Sequence, residues 1–199
     1  MSSRDDILAR LRAVQPEGRP LPPVPLFADA LPDHLDTFRK ALARLGGDWV
    51  DCPADGDIGQ VIRTRFPAAR VICSAVPEVR GTRLLTPDTT PHSLNDVDVG
   101  IVRPAFAVAE TGSIWLSERE FGVNALGYLS QHLVALLDPA DLVGNLHQAY
   151  HLPEFLAARY AVLMSGPSAT ADIEGVLVRG AQGIRSLTVV AAPRRTATR

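Results

Sequence analysis

The stretch DHLDTFRKALARLGGDWVDC (33–52), followed after a short gap by IGQVIRTRFPAARVICSA (58–75), decides the fold class. Leu35, Phe38, Leu42 and Leu45 recur at three- and four-residue spacing, with Pro32 at the start, Asp33 in the first turn and Gly46-Gly47 at the end. That pattern predicts an amphipathic helix. Asp48 to Cys52 reads as a short strand, Ile58 to Phe66 as a helix stopped by Pro67, and Ala69 to Ala75 as a buried strand. Helices alternating with strands argue for a three-layer α/β class, a mostly parallel sheet with helices on both faces.

The second half of the chain extends the same reading. Val99 to Val102, Phe106 to Ala109, Ile114 to Leu116, His132 to Leu137, Ala161 to Met164 and Ser186 to Ala191 are apolar runs of strand length. Asp141 to Leu152 fits a helix with Leu142, Leu146 and Ala149 facing in, and Pro91 to Leu94 one turn of helix. Before the first long helix, Ser2 or Ser3 can cap a short helix bearing Ile7, Leu8, Leu11 and Val14. Pro16, Pro20, Pro22, Pro23, Pro25 and Pro32 then forbid helix and favour an extended linker. The chain thus divides into an arm and linker (1–32), one α/β domain (33–192) and a basic tail (193–199) with Arg194, Arg195 and Arg199. Such an arm has to dock, across its own domain or onto a second copy of the chain in a homo-oligomer.

Composition narrows the chemistry. The net charge is −2, so no global field recruits nucleic acid, and no basic stripe accompanies Trp49, Trp115, Tyr128 or Tyr160. Cys52 and Cys73 are the only cysteines and form no C-x-x-C pair, so this chain cannot by itself ligate an iron–sulfur cluster or a cysteine-bound zinc. His147 and His151 stand four apart without the intervening glutamate of H-E-x-x-H, which favours a solvated helix face over a metal site. No cofactor and no metal are expected. The P-loop, G-x-S-x-G and G-x-G-x-x-G patterns are missing. No apolar segment follows a basic start and no run approaches roughly 18 apolar residues, so the expectation is a cytoplasmic protein without membrane insertion.

Two segments place polar chemistry at the ends of apolar strands. In Glu110-Thr111-Gly112-Ser113 a carboxylate and two hydroxyls sit at a glycine turn between apolar runs, where an isolated carboxylate needs a reason to be. In Gly166-Pro167-Ser168-Ala169-Thr170-Ala171-Asp172-Ile173-Glu174 a buried strand ends in a tight turn and a helix start. Ser168, Thr170 and the local amides can hold a small anion, and Glu110 and Asp172 can position or exchange a proton. Thr111, Gly112, Ser113, Gly166, Glu174 and Arg179 complete the expected ligand-binding set. Both loops meet beyond the carboxyl ends of the sheet if their strands run in the same direction. Turns of this composition also occur simply as backbone caps.

The motifs Ala109-Glu110-Thr111-Gly112-Ser113 and Gly166 to Glu174, followed by Gly180-Ala181-Gln182-Gly183, resemble the lactate utilization protein C family, the LUD domain. The resemblance runs roughly from Asp33 to Ala192. It implies a fold like that of the phosphosugar isomerase, CoA-transferase and formyltetrahydrofolate cyclo-ligase group. It also implies an accessory role in oxidising L-lactate to pyruvate beside iron–sulfur partner proteins. Ala169, Gln182 and Ile184 depart from the family pattern, where a basic residue, a histidine and a proline are usual. A cation at the site would then come from Arg179 or Arg185. Two alternatives stand beside this one. One is a CoA-transferase- or isomerase-like enzyme acting on a small carboxylate, thioester or sugar phosphate, with Glu110 as nucleophile. The other is a scaffold that clasps iron–sulfur partners through its arm.

Overall fold

The structure is a computed structural model that describes residues 2–15, 18, 20–27, 33–53, 56–172 and 174–194. Pro16 and Pro32 of the linker, and Arg195 and Arg199 of the tail, lie outside the described residues. The chain runs α1 (Ser3–Ala13), α2 (His34–Arg44), β1 (Asp48–Val50), α3 (Ile58–Arg65), β2 (Ile72–Ser74) and β3 (Arg83–Leu84). After a 3-10 turn at Pro91–Leu94 come β4 (Val99–Val102), β5 (Phe106–Val108), β6 (Ser113–Ser117), α4 (Glu118–Phe121), α5 (Leu126–Leu129) and β7 (His132–Leu137). Then follow β8 (Leu142–Val143), α6 (Leu146–Ala149), α7 (Pro153–Ala157), β9 (Ala161–Met164), β10 (Ala169–Thr170), β11 (Val178–Arg179) and β12 (Ser186–Ala191).

The central sheet is six-stranded in the order β1-β12-β7-β4-β2-β3, and every pairing in it is parallel. Side-chain alternation along its strands splits the core. Leu133, Ala135 and Leu137 of β7 join Phe38 and Leu42 of α2 on one face, whereas Val134 and Leu136 meet Ile58 and Ile62 of α3 on the other. The result is the expected three-layer α/β arrangement. The α2 face also carries a smaller sheet, β8-β5-β6-β9, whose inner residues Ala107, Ile114 and Leu116 share that core. Its outer residues Phe106, Val108 and Trp115 are covered by Ala149 of α6 and Phe155 of α7.

Several local expectations change. Asp33 is the cap of α2, its carboxylate accepting from the Asp36 amide at 3.0 Å, rather than a first-turn residue. The strand expected over Ala69 to Ala75 shortens to β2. Asp141 to Leu152 does not form one helix. Leu142–Val143 is a strand paired with β5, Gly144 breaks the run, and Asn145 caps the four-residue α6. His151 therefore lies past the helix end, so it shares no helical face with His147. β9 is the edge of the small sheet and is only half-buried, not a strand covered on both faces. Among the described residues no helix follows it. The segment after Pro167 instead folds into an antiparallel ribbon of β10 and β11.

α1 has the expected cap, with Ser2 and Asp5 bonded reciprocally, but buries none of its residues. The end of the linker touches the domain: Asn145 Nδ2 donates to the Leu26 and Phe27 carbonyls at 2.9 and 3.1 Å, and the Phe27 ring meets His147 at 4.9 Å.

Candidate functional site

Open parallel sheets usually hold ligands beyond the carboxyl ends of their strands. Here Arg103, which follows β4, occupies that edge. Its Nη1 donates to the carbonyls of Leu136 and Ala192 at 3.2 and 2.8 Å, and its Nε and Nη2 donate to Glu78 Oε1 at 2.9 and 2.6 Å. The side chain is only 12% exposed, and the space left beside Cys52 and Ile58 is about 150 Å³.

The two polar loops do come together, for a different reason than parallel alignment. β6 and β9 are antiparallel neighbours, with Ile114 opposite Met164, so the start of β6 meets the end of β9. Ser113 Oγ lies 2.5 Å from Ser165 Oγ and donates to Thr111 Oγ1 at 2.7 Å. Because the Ser113 proton is committed to Thr111, Ser165 is the donor to Ser113. The hydroxyls of Ser165, Ser113 and Thr111 thus form a directed chain whose last proton, on Thr111, is left for another acceptor.

Both loops are pressed onto the end of α2. Gly112 has φ +62° and a Cβ there would lie 2.3 Å from the Leu42 nitrogen. Gly166 has φ +81° and a Cβ would lie 2.4 Å from the Leu45 carbonyl oxygen. Only glycine meets both demands, the positive φ and the close approach.

Over the junction opens a cleft of about 360 Å³ lined by Tyr128, Met164, Ser165, Ser168, Gln182 and Gly183 among others. Ser168 is bound into its wall: its hydroxyl donates to the Gln182 carbonyl, its N–H to the Ile184 carbonyl at 3.1 Å, and its carbonyl accepts from Gly180 N at 2.6 Å. The N–H groups of Gln182 and Gly183, two residues of the cleft wall, make no hydrogen bond to a described residue. The Tyr128 and Tyr160 hydroxyls bond each other beside the cleft, and burial followed by that bond pushes the Tyr128 phenol well up.

Glu110, Asp172, Glu174 and Arg179 do not line this cleft. Glu110 is exposed, and its Oε1 accepts from Leu146 N at 2.8 Å, at the amino end of α6. Asp172 donates its N–H to Thr170 Oγ1 at 3.3 Å in the ribbon tip, and Glu174 beyond it has φ +54°. No hydrogen bond joins Glu110 to Asp172 among the described residues. Arg179 pairs across the ribbon with Ala169 of the cleft wall and lies over Gly46, whose Cβ would come 2.5 Å from Arg179 Nη1, but it does not line the cleft; Arg185 lines a different one. The residues that line the cleft are neutral. No three His, Cys, Asp or Glu residues cluster as a metal site among the described residues.

Ser165, Tyr128 and Gly183 were not singled out as ligand-binding residues in the sequence. Only the antiparallel pairing of β6 with β9 brings Ser165 to Ser113, and no motif spacing reports that pairing.

Fold and junction define a three-layer α/β protein with an uncharged, hydroxyl-rich cleft. A LUD domain family model matches residues 87–191, more than half of the 199-residue chain, and the chain belongs to that family. It is also similar to the crystal structure of a DUF162 family protein from Deinococcus radiodurans, with a TM-score of 0.60 and 18% sequence identity. That match covers 85% of this chain and 99% of the other, and at this identity it speaks for the fold. No curated protein matches the chain significantly.

Proposed function

We propose that this chain is a lactate utilization protein C-like accessory component of L-lactate oxidation to pyruvate, binding the small carboxylate in the cleft over Ser113 and Ser165. The observation that carries the reading is the hydroxyl junction itself. Family membership supplies the pathway, and the matched region contains both loops. Gln182 and Gly183 N–H groups would donate to the carboxylate, and Ser165 Oγ, its own proton directed at Ser113, would accept from the lactate hydroxyl. Oxidation to pyruvate removes two electrons and two protons. With Cys52 and Cys73 its only thiols and no redox centre of its own, the chain would hold the lactate while its two electrons and two protons go to the iron–sulfur partner proteins. Glu110, bonded to the Leu146 amide, is in this reading a positioning group that fixes α6 against the Thr111 turn. Removal of the chain from its host is expected to abolish growth on L-lactate while leaving growth on pyruvate intact. Undiminished growth on lactate would overturn the assignment.

A further inference from the structure

β7 and β12 are register partners, so their first residues, His132 and Ser186, stand side by side at the amino edge of the central sheet. His132 Nδ1 and Ser186 Oγ are 2.8 Å apart, and the Phe66 ring packs on the imidazole with centroids 4.7 Å apart. In front of them opens a cleft of about 610 Å³, walled on its apolar side by Phe66 and Pro67 and bordered by Arg65 and Arg185. The two guanidinium groups differ. Arg65 is committed, its Nε to Thr188 Oγ1 at 3.0 Å and its Nη2 to Asp48. Arg185 is exposed, and its side chain makes no hydrogen bond or ion pair with a described residue.

An uncommitted guanidinium beside an imidazole and a hydroxyl is a donor set matched to an oxyanion, and the apolar wall suits a carbon skeleton. We propose that this amino-edge cleft binds a small organic oxyanion with a flat apolar body, held by Arg185 and by the His132 imidazole, whose ring Ser186 orients through Nδ1. The segment 182–185 divides it from the cleft over Ser165: Ile184 accepts from Ser168 on one side, and Arg185 N donates to the Gln131 carbonyl at 2.7 Å on the other. The site therefore stands whether or not the lactate reading does.

The charged groups facing His132 are Arg185, Asp98 and Arg65. Asp98, which also lines the cleft, accepts from the Arg70 and Val71 amides through Oδ2 at 2.7 and 2.8 Å, which holds it ionised. A bound anion adds the negative charge that favours the imidazolium, so affinity rises as pH falls.

Titration of the full chain, labelled at histidine nitrogen, with phenyl phosphate and with benzoate tests the site. The His132 ring signals are expected to shift saturably with at least one of them; which one responds assigns the phosphate or carboxylate class. Arg185→Ala should weaken binding about tenfold, the loss of a charge-assisted hydrogen bond, and Arg185→Lys should recover part of it. Near-ultraviolet dichroism should be unchanged in both variants. Lys40→Ala, which removes an exposed cation outside the cleft, should leave the affinity as it is. His132 signals unmoved by either anion, equal affinity in Arg185→Ala, or an equal loss in Lys40→Ala would each overturn the proposal.

Discussion

Gly112 carries the geometry of the junction. With φ +62° and the Leu42 nitrogen 2.3 Å from where a Cβ would sit, Gly112→Ala must both strain the backbone and push α2 away. A left-handed alanine alone costs about 1 kcal/mol and the displaced helix adds to it. The variant is expected to lose about 2 kcal/mol, a fall of roughly 4–8 °C in a chain of this size, measured by thermal unfolding. An unchanged midpoint would mean the turn is not held by α2. This residue was legible in part. Glycine between a polar pair and an apolar run announces a sharp turn, but the helix it touches is some seventy residues upstream, and no local pattern encodes that distance. The partner of Glu110 was not legible for a related reason. Its carboxylate accepts from the Leu146 amide, at the start of a helix that the sequence did not delimit.

Elements were legible where one period dominated. β7 and β12, apolar but for His132, Ser186 and Thr188, have the expected limits, and α2 forms where expected around Leu35, Phe38 and Leu42, with Asp33 and Leu45 as its caps. The reading failed where two periods overlapped. Leu142, Leu146 and Ala149 satisfy a helical spacing, but Ala109 N donates to the Val143 carbonyl at 2.9 Å and Glu110 N to the Gly144 carbonyl at 3.0 Å, so pairing with the β5 end wins over the helix. Likewise the hydroxylated turn after β9 suggested a helix start, whereas Gly175 and Gly180, at φ +70° and +72°, permit the ribbon.

The paired starts of β7 and β12 also set a pH dependence. Burial, and then the Arg185 charge, lower the His132 pKa below its ordinary 6.5. The unfolded chain therefore binds the proton first as pH falls, so the contribution of neutral His132 is present above 6.5 and is lost on acidification below it. Denaturant midpoints measured between pH 7 and pH 5 are expected to decline less in His132→Gln than in the parent chain. Equal slopes would contradict the burial argument.

At the scale of the whole molecule, the alternation of helix and strand between residues 33 and 75 sufficed for the class. It could not reveal that the last strand, β12, inserts between β1 and β7, nor that Arg103 and Glu78 occupy the edge where ligands usually enter. The second sheet decides where the polar loops meet. Because β6 and β9 run antiparallel on the α2 face, the turn at 110–113 meets the residues that follow β9 at the end of that small sheet. The central claim is that this junction of hydroxyls and free amides binds a small hydroxy or keto acid. Calorimetric titration of the full chain with L-lactate and with pyruvate tests it most directly. The account predicts saturable binding of at least one acid, weakened about three- to tenfold in Ser165→Ala by the loss of one neutral hydrogen bond. No binding of either acid, or undiminished affinity in Ser165→Ala, would contradict it.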